Sequence, residues 1–269
     1  MARKLFCQIS PLTYKISVYK CQKLRSIKDI FSKANFAKDK QKEPLEFLVY
    51  AHNSLIRRRL GNVDMELQEN KAVNLSLAAP KVTNVLIKPG QTFSFWRLVG
   101  STHKKYGYKE GLQISNGKVS AGVGGGMCQF TNLIHWIVCH TPLKIIEHHH
   151  HDRFDLFPDF NRQVPFGMGT SIFNNYLDYR FFNPTDTTFQ LITYVKDEYL
   201  CAQMRNDKPT KYSYHIKAEN ERFEKKGEQF YRLGEVYRTV VDKRSGNIIK
   251  KELLRKNNAL VMYKLENND

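Results

Sequence analysis

Hydrophobic residues recur with helical period in some stretches of the chain and alternate with polar ones in others, a mixture that predicts an α+β fold. Phe130, Leu133, Ile134, Ile137 and Val138 fall at i, i+3, i+4, i+7 and i+8, the stripe of a core-facing helix. A second helix is predicted over 70–82, where Val73, Leu75, Leu77, Ala78 and Ala79 make one face mostly apolar. A third is predicted over 44–60, because Pro44 suits a first helical turn, where its missing N–H costs nothing. Gly61-Asn62 would end it. Residues 27–36 suggest a further helical piece in an otherwise irregular start.

Strand patterns follow. Val85-Leu86-Ile87 runs into a Pro89-Gly90 turn, and Thr92-Phe93-Ser94-Phe95-Trp96 alternates with period two. Asn116-Gly117 predicts a tight turn before the glycine-rich segment, and Leu143-Lys144-Ile145-Ile146 a short strand. Residues 152–169, rich in Phe and Pro, have the pattern of a long surface loop. Two strands flank Asn183-Pro184-Thr185-Asp186, with Leu177, Tyr179 and Phe181 alternating before it and Phe189, Leu191 and Thr193 after it. Residues 206–230 are charged and predict a linker or exposed helix. A closing hairpin is expected over 237–263, turning at Ser245-Gly246-Asn247. The expected architecture is a helical, basic N-terminal region packed on a mixed or antiparallel sheet, with a glycine-rich loop leading into a cysteine-bearing helix and a small C-terminal β-hairpin. The expected divisions are 1–60, 61–205 and 206–269.

Composition changes this picture in one respect. With 269 residues, 41% hydrophobic, the chain has ample material for a core, but its formal net charge is +17. Residues 1–60 alone hold 14 Lys/Arg against 4 Asp/Glu. Such a segment suits an anionic partner, whether membrane lipid, nucleic acid or an acidic cell-wall polymer, with a solvated basic face as the plainer reading. No zinc-finger spacing, ribonucleoprotein signature or helix-turn-helix supports nucleic acid. The five cysteines, Cys7, Cys21, Cys128, Cys139 and Cys201, are odd in number, scattered and without CxxC spacing. They argue against a disulfide framework and suit a reducing compartment. With neither a signal-peptide pattern nor a long apolar span, the chain reads as cytoplasmic, with possible association with a membrane surface.

The candidate chemistry centres on Gly122-Val123-Gly124-Gly125-Gly126-Met127-Cys128-Gln129-Phe130. Its glycines permit positive φ and let amides converge on an anion, so Gly124, Gly125, Gly126 and Gln129 are candidate oxyanion or anion-binding positions. Cys128 falls at a helix start, where free N–H groups and the helix dipole favour a thiolate. Glu147-His148-His149-His150-His151-Asp152 then offers bases. Two plainer readings stand beside this one: Cys128 as a packing thiol, and the histidines as a solvated loop. Zinc held by the histidines with Glu147 and Cys128 is a further reading, although alternation along an extended run lets at most His149 and His151 share one face. No cofactor is expected, and His52, His103, His135, His140 and His215 lie in no motif.

Pro89-Gly90-Gln91-Thr92-Phe93-Ser94-Phe95, the glycines at 107 and 111, the Gly124-Gly125-Gly126-Met127-Cys128-Gln129 segment and the 147–151 cluster, in that order, resemble the VanW family. The family is named for an accessory gene of a vancomycin-resistance cluster, and some members are understood to act as L,D-transpeptidases on peptidoglycan stem peptides. The resemblance implies Cys128 as nucleophile, with His151 the best match for the family's histidine and His149 the second. It departs at Gly167-Met168-Gly169-Thr170-Ser171, where many members carry Gly-Arg-Asp-Ala-Thr. The acidic residue that would orient a base is missing there, leaving Asp152 or Asp155 as substitutes. With no export signal visible, the implied substrate moves from mature wall to a soluble or lipid-linked precursor. A non-catalytic, anion-gripping accessory protein is the alternative.

Overall fold

The computed structural model describes residues 5–58, 64–115, 118–150, 153–159 and 163–265. The expected Gly61-Asn62 helix end and Asn116-Gly117 turn lie outside them. Helix α1 (Pro11–Phe31) opens the fold, capped by Ser10, whose hydroxyl accepts from the Thr13 amide. Strands β1 (Asn35–Phe36) and β2 (Phe47–Leu55) follow, then α2 (Met65–Val82), β3 (Val85–Ile87), β4 (Gln91–Ser94) and the short α3 (Phe95–Val99). A hairpin of β5 (Glu110–Ser115) and β6 (Lys118–Val123) leads into α4 (Met127–Cys139) and β7 (Lys144–Glu147). The remainder is strand: β8 (Phe154–Asp155), β9 (Arg180–Phe182), β10 (Phe189–Lys196), β11 (Tyr199–Asn206), β12 (Tyr212–Lys226), β13 (Gln229–Asp242) and β14 (Ile248–Val261).

The strands form a mixed sheet ordered β1-β4-β9-β7, an antiparallel sheet ordered β2-β11-β10-β3, a C-terminal sheet ordered β12-β13-β14-β8, and the β5-β6 hairpin. The main core lies among α2, α4 and the first two sheets, with Leu75, Phe93, Phe95, Phe130, Ile134, Tyr179, Phe181 and Phe189 fully buried. A smaller cluster of Trp136, Cys139, Met168 and Val236 joins the far end of α4 to β13. There Arg238 donates to the Cys139 and Thr141 carbonyls at 3.2 and 3.3 Å, a cation at a helix C-terminus.

The α+β class, the helix on the mixed sheet and the glycine loop into the cysteine helix stand as expected, while four local expectations are corrected. The predicted 44–60 helix is β2 in its described part, because pairing along its length with β11 outweighs the helix-start signal of Pro44. The N-terminal helix runs over 11–31 rather than 27–36. Trp96 lies in α3, beyond the strand that ends at Ser94. The expected linker or helix at 206–230 is β12, a 15-residue strand paired with β13, so the C-terminal hairpin is part of a larger sheet.

Candidate functional site

The glycine loop takes its shape from contacts that leave no room for side chains. Gly124 and Gly126 have φ of 78° and 107°. A Cβ on Gly125 would stand 2.3 Å from the Gly111 carbonyl carbon, and one on Gly126 would stand 2.5 Å from Lys71 Cγ. Asn74, on α2, pins the loop: its Nδ2 donates to the Lys109 and Gly125 carbonyls at 3.0 and 2.9 Å, and its Oδ1 accepts from the Lys109 amide at 2.8 Å. Gly126 is the N-cap of α4, and the first i to i+4 bond runs from the Phe130 amide to its carbonyl. The amides of Met127, Cys128 and Gln129 therefore find no backbone or side-chain acceptor among the described residues.

Cys128 occupies the second position of α4 and is partly exposed. The 169–172 segment lies alongside: Asn132 Oδ1 accepts from the Thr170 amide at 2.6 Å and from its hydroxyl at 2.8 Å, and the Ile172 amide faces the sulfur. Burial pushes the Cys128 thiol up, and the Ile172 N–H only partly offsets this. Burial of the sulfur thus opposes the activation expected from the helix end. The side chain of Gln129 is engaged elsewhere, while its backbone amide remains with those of Met127 and Cys128. Its Nε2 donates to Ser54 Oγ and the Leu55 carbonyl, both at 2.8 Å, so both amide hydrogens tie α4 to β2.

Strand β7 delivers the histidines, which divide by side. His149 Nε2 lies 3.0 Å from Glu147 Oε1, and Glu147 also accepts from Arg25 Nη1 at 3.0 Å and from the Asp178 amide at 2.9 Å. Burial opposes the Glu147 charge, but Arg25, the Asp178 amide and His149 together hold its carboxyl below the usual range. Glu147 thus supplies the acid beside a histidine that the 167–171 segment lacks. Asp155 does not: it accepts from Tyr263 Oη at 2.9 Å and from Arg232 Nη1 at 3.3 Å, in the C-terminal sheet. His151 and Asp152 lie outside the described residues.

The even histidines are not a solvated pair. The His148 ring lies 4.1 Å from the rings of both His135 and His150, with its Nε2 3.0 Å from the Gly169 carbonyl. His135 is buried on α4, 3.1 Å from Tyr179 Oη. Burial, then the nearby His148 and His150, keeps it neutral far below its ordinary range. Contact with buried His135 of α4 draws His148, with His150 packed on it, to this side, and His149 lies beside Glu147. Among the described residues no group of three His, Cys, Asp or Glu is disposed to hold a metal ion, so the zinc reading gains no support.

Two residues near the loop were missed by the sequence reading. Asn74 is one. Lys71 is the other: it is buried, its stem packs on Gly126, and burial with the charges of Arg58 and Arg57 lowers its pKa to about 7. The available signal was its position, since Gln68, Lys71, Leu75, Ala78 and Val82 trace the buried face of α2. At the other end of α4 a cleft of about 410 Å³ opens between Tyr50, Trp136, His140, Tyr214 and His215.

A Bacillus subtilis protein, the uncharacterized protein YoaR, is 35% identical over 85 residues, 32% of this chain and 28% of its own length. No solved structure matches the chain significantly. The Enterococcus faecalis vancomycin B-type resistance protein VanW is 36% identical over 221 residues, 82% of this chain and 80% of that relative. The model of the VanW-like protein family matches residues 70–205, from the middle of α2 through β11 and so across the glycine loop, Cys128 and the histidine strand. The chain belongs to the VanW family.

Proposed function

We propose that this chain is a cysteine-dependent acyl transferase of the L,D-transpeptidase kind, acting on peptidoglycan stem peptides or their precursors in the process named for its Enterococcus relative, vancomycin resistance. One observation carries the reading: Cys128 stands in the first turn of α4, beside amides at 127–129 with no acceptor among the described residues. Donors in that position suit the oxygen of a tetrahedral intermediate. The Cys128 sulfur forms a thioester with the substrate carbonyl carbon as the peptide C–N bond breaks. The amine departs with the proton taken from the thiol. A second amine then attacks the thioester and restores the thiol.

With Glu147 beside Nε2, His149 keeps Nδ1 as the nitrogen able to accept that proton, and His151 is the second candidate for the same role. The raised thiol supports an alternative, a non-catalytic protein that grips a precursor's carboxylate or phosphate at the same amides.

Intact mass after incubation with a stem tetrapeptide separates the two. The transferase reading predicts a peptide adduct on wild-type protein, absent from Cys128→Ser and slower to form in His149→Ala or His151→Ala. Under either reading, iodoacetamide labelling of native Cys128 should rise with pH above the range of an ordinary thiol, because only the thiolate reacts. No adduct, with labelling only after denaturation, would leave the binding reading in its place.

A further inference from the structure

Helix α1 presents its apolar side to water. Leu12, Ile16, Tyr19, Ile27 and Ile30 fall within an arc of about 80° on a helix of 3.6 residues per turn. All five are exposed, from 49% at Ile16 to 76% at Ile30. None of the helix's residues is buried. Its attachment to the body is polar and runs along another side. Gln22 donates to the Asn174 carbonyl, Arg25 pairs with Glu147, Ser26 accepts from Asn175, and Asp29 accepts from Arg180. Amphipathic helices of globular proteins bury the stripe and expose the charges; this one does the reverse.

Charge identifies what covers the stripe. Lys15 and Lys20 flank it on opposite sides, and Lys23 lies within it, its ammonium 5.3 Å from the Tyr19 ring centre. The one acidic residue of the helix, Asp29, is committed to Arg180. Protein interfaces deplete lysine at their centres, whereas a lipid headgroup layer accepts it: the long stem follows the apolar surface and the ammonium reaches a phosphate. Among the described residues no helix is long and apolar enough to cross a membrane, and α1, at 21 residues, spans about 31 Å. Its dimensions and charge are those of a helix lying in the interface plane.

We infer that α1 is an interfacial anchor, which lays Leu12, Ile16, Tyr19, Ile27 and Ile30 into the surface of an anionic bilayer with Lys15, Lys20 and Lys23 on lipid phosphates. The inference is independent of Cys128 chemistry. It nevertheless bears on the candidate site, because Arg25 reaches from the anchor to the Glu147 that holds His149.

Sedimentation of the full chain with phosphatidylcholine vesicles, with and without phosphatidylglycerol, tests it. Wild-type protein partitions onto the phosphatidylglycerol vesicles and releases with salt. Lys20→Gln/Lys23→Gln weakens partition by roughly tenfold or more, since each basic residue near an anionic surface is worth about fivefold. Ile16→Glu/Ile27→Glu abolishes it, while Ile248→Glu, at an equally exposed position of β14, leaves it unchanged. Equal binding to both vesicle types, or retention by Ile16→Glu/Ile27→Glu, overturns the inference. So does a dimer that Ile16→Glu/Ile27→Glu disperses and that has no affinity for vesicles.

Discussion

Lys71 sets a pH dependence that can be read at one residue. A lysine moved from 10.5 to about 7 by burial is destabilising while it stays charged. Below about pH 7 folded and unfolded chains both hold the proton, and the penalty is full. From there to about 10.5 the folded lysine is neutral while the unfolded one is charged, so folding releases a proton and stability climbs with pH. Lys71→Met keeps the stem on Gly126 and removes the charge. At pH 6 it should be more stable than wild type by roughly 4 to 5 kcal/mol, with the gap closing towards pH 10. Urea midpoints of the two proteins across that range check this, and a gap that does not change with pH refutes it. At the same scale, the glycine run and Cys128 were legible because their chemistry is local: three glycines before an apolar stripe announce a loop and a helix start. The sorting of the histidines was not. Alternation places His149 opposite His148 and His150, but only tertiary contact with His135 decides which side faces inward.

At the scale of elements, α2 acts as the jig for the loop that starts α4. Asn74 satisfies three backbone groups of two different segments, and no other side chain bonded to Gly125 or Lys109 is found among the described residues. Asn74→Ala leaves the Gly125 carbonyl and the Lys109 amide to seek other partners, while the Lys109 carbonyl keeps the Gly124 amide. It should cost about 2 to 3 kcal/mol in urea unfolding and speed iodoacetamide labelling of Cys128 as the loop loosens. Unchanged stability would show that the jig is redundant. Helices α2 and α4 were visible in the chain because their signal is short-range periodicity. Strands β2 and β12 were not, for a shared reason. Pro44 gives β2 a helix-start signal, and the charged run of β12 has the composition of a linker; each becomes a strand only by pairing with a partner far along the chain. Ions run from β12 to its neighbours across the sheet, Glu221 with buried Arg232 and Glu219 with Lys251. Composition alone cannot show that partner.

Across the whole molecule, α1 is held by ions rather than by a core, which makes its docking separable from folding. Burial opposes the Asp29 charge, but Arg180, Arg25 and Arg97 together hold its carboxyl below the usual range. Glu147 is held low by the same kind of cluster. Carboxylates shifted downward stabilise the folded state above their unfolded pKa values, near 4, and that contribution is lost as pH falls through the lower folded values. Acid therefore loosens α1 from the mixed sheet. Asp29→Asn should do so at neutral pH, and a helix of this length is marginal in water by itself. Amide exchange in Asp29→Asn should show protection lost over 11–31 while α2 and α4 remain protected, with a global cost of about 1 to 3 kcal/mol as Arg180 keeps only Asp178 and Glu147. Adding phosphatidylglycerol vesicles should restore the protection over 11–31, because the bilayer supplies the apolar contact that water withholds from Leu12, Ile16 and Ile27. If protection over 11–31 survives Asp29→Asn in solution, the ion cluster is not what holds the helix. If it is lost and vesicles fail to restore it, the stripe has a different partner from lipid.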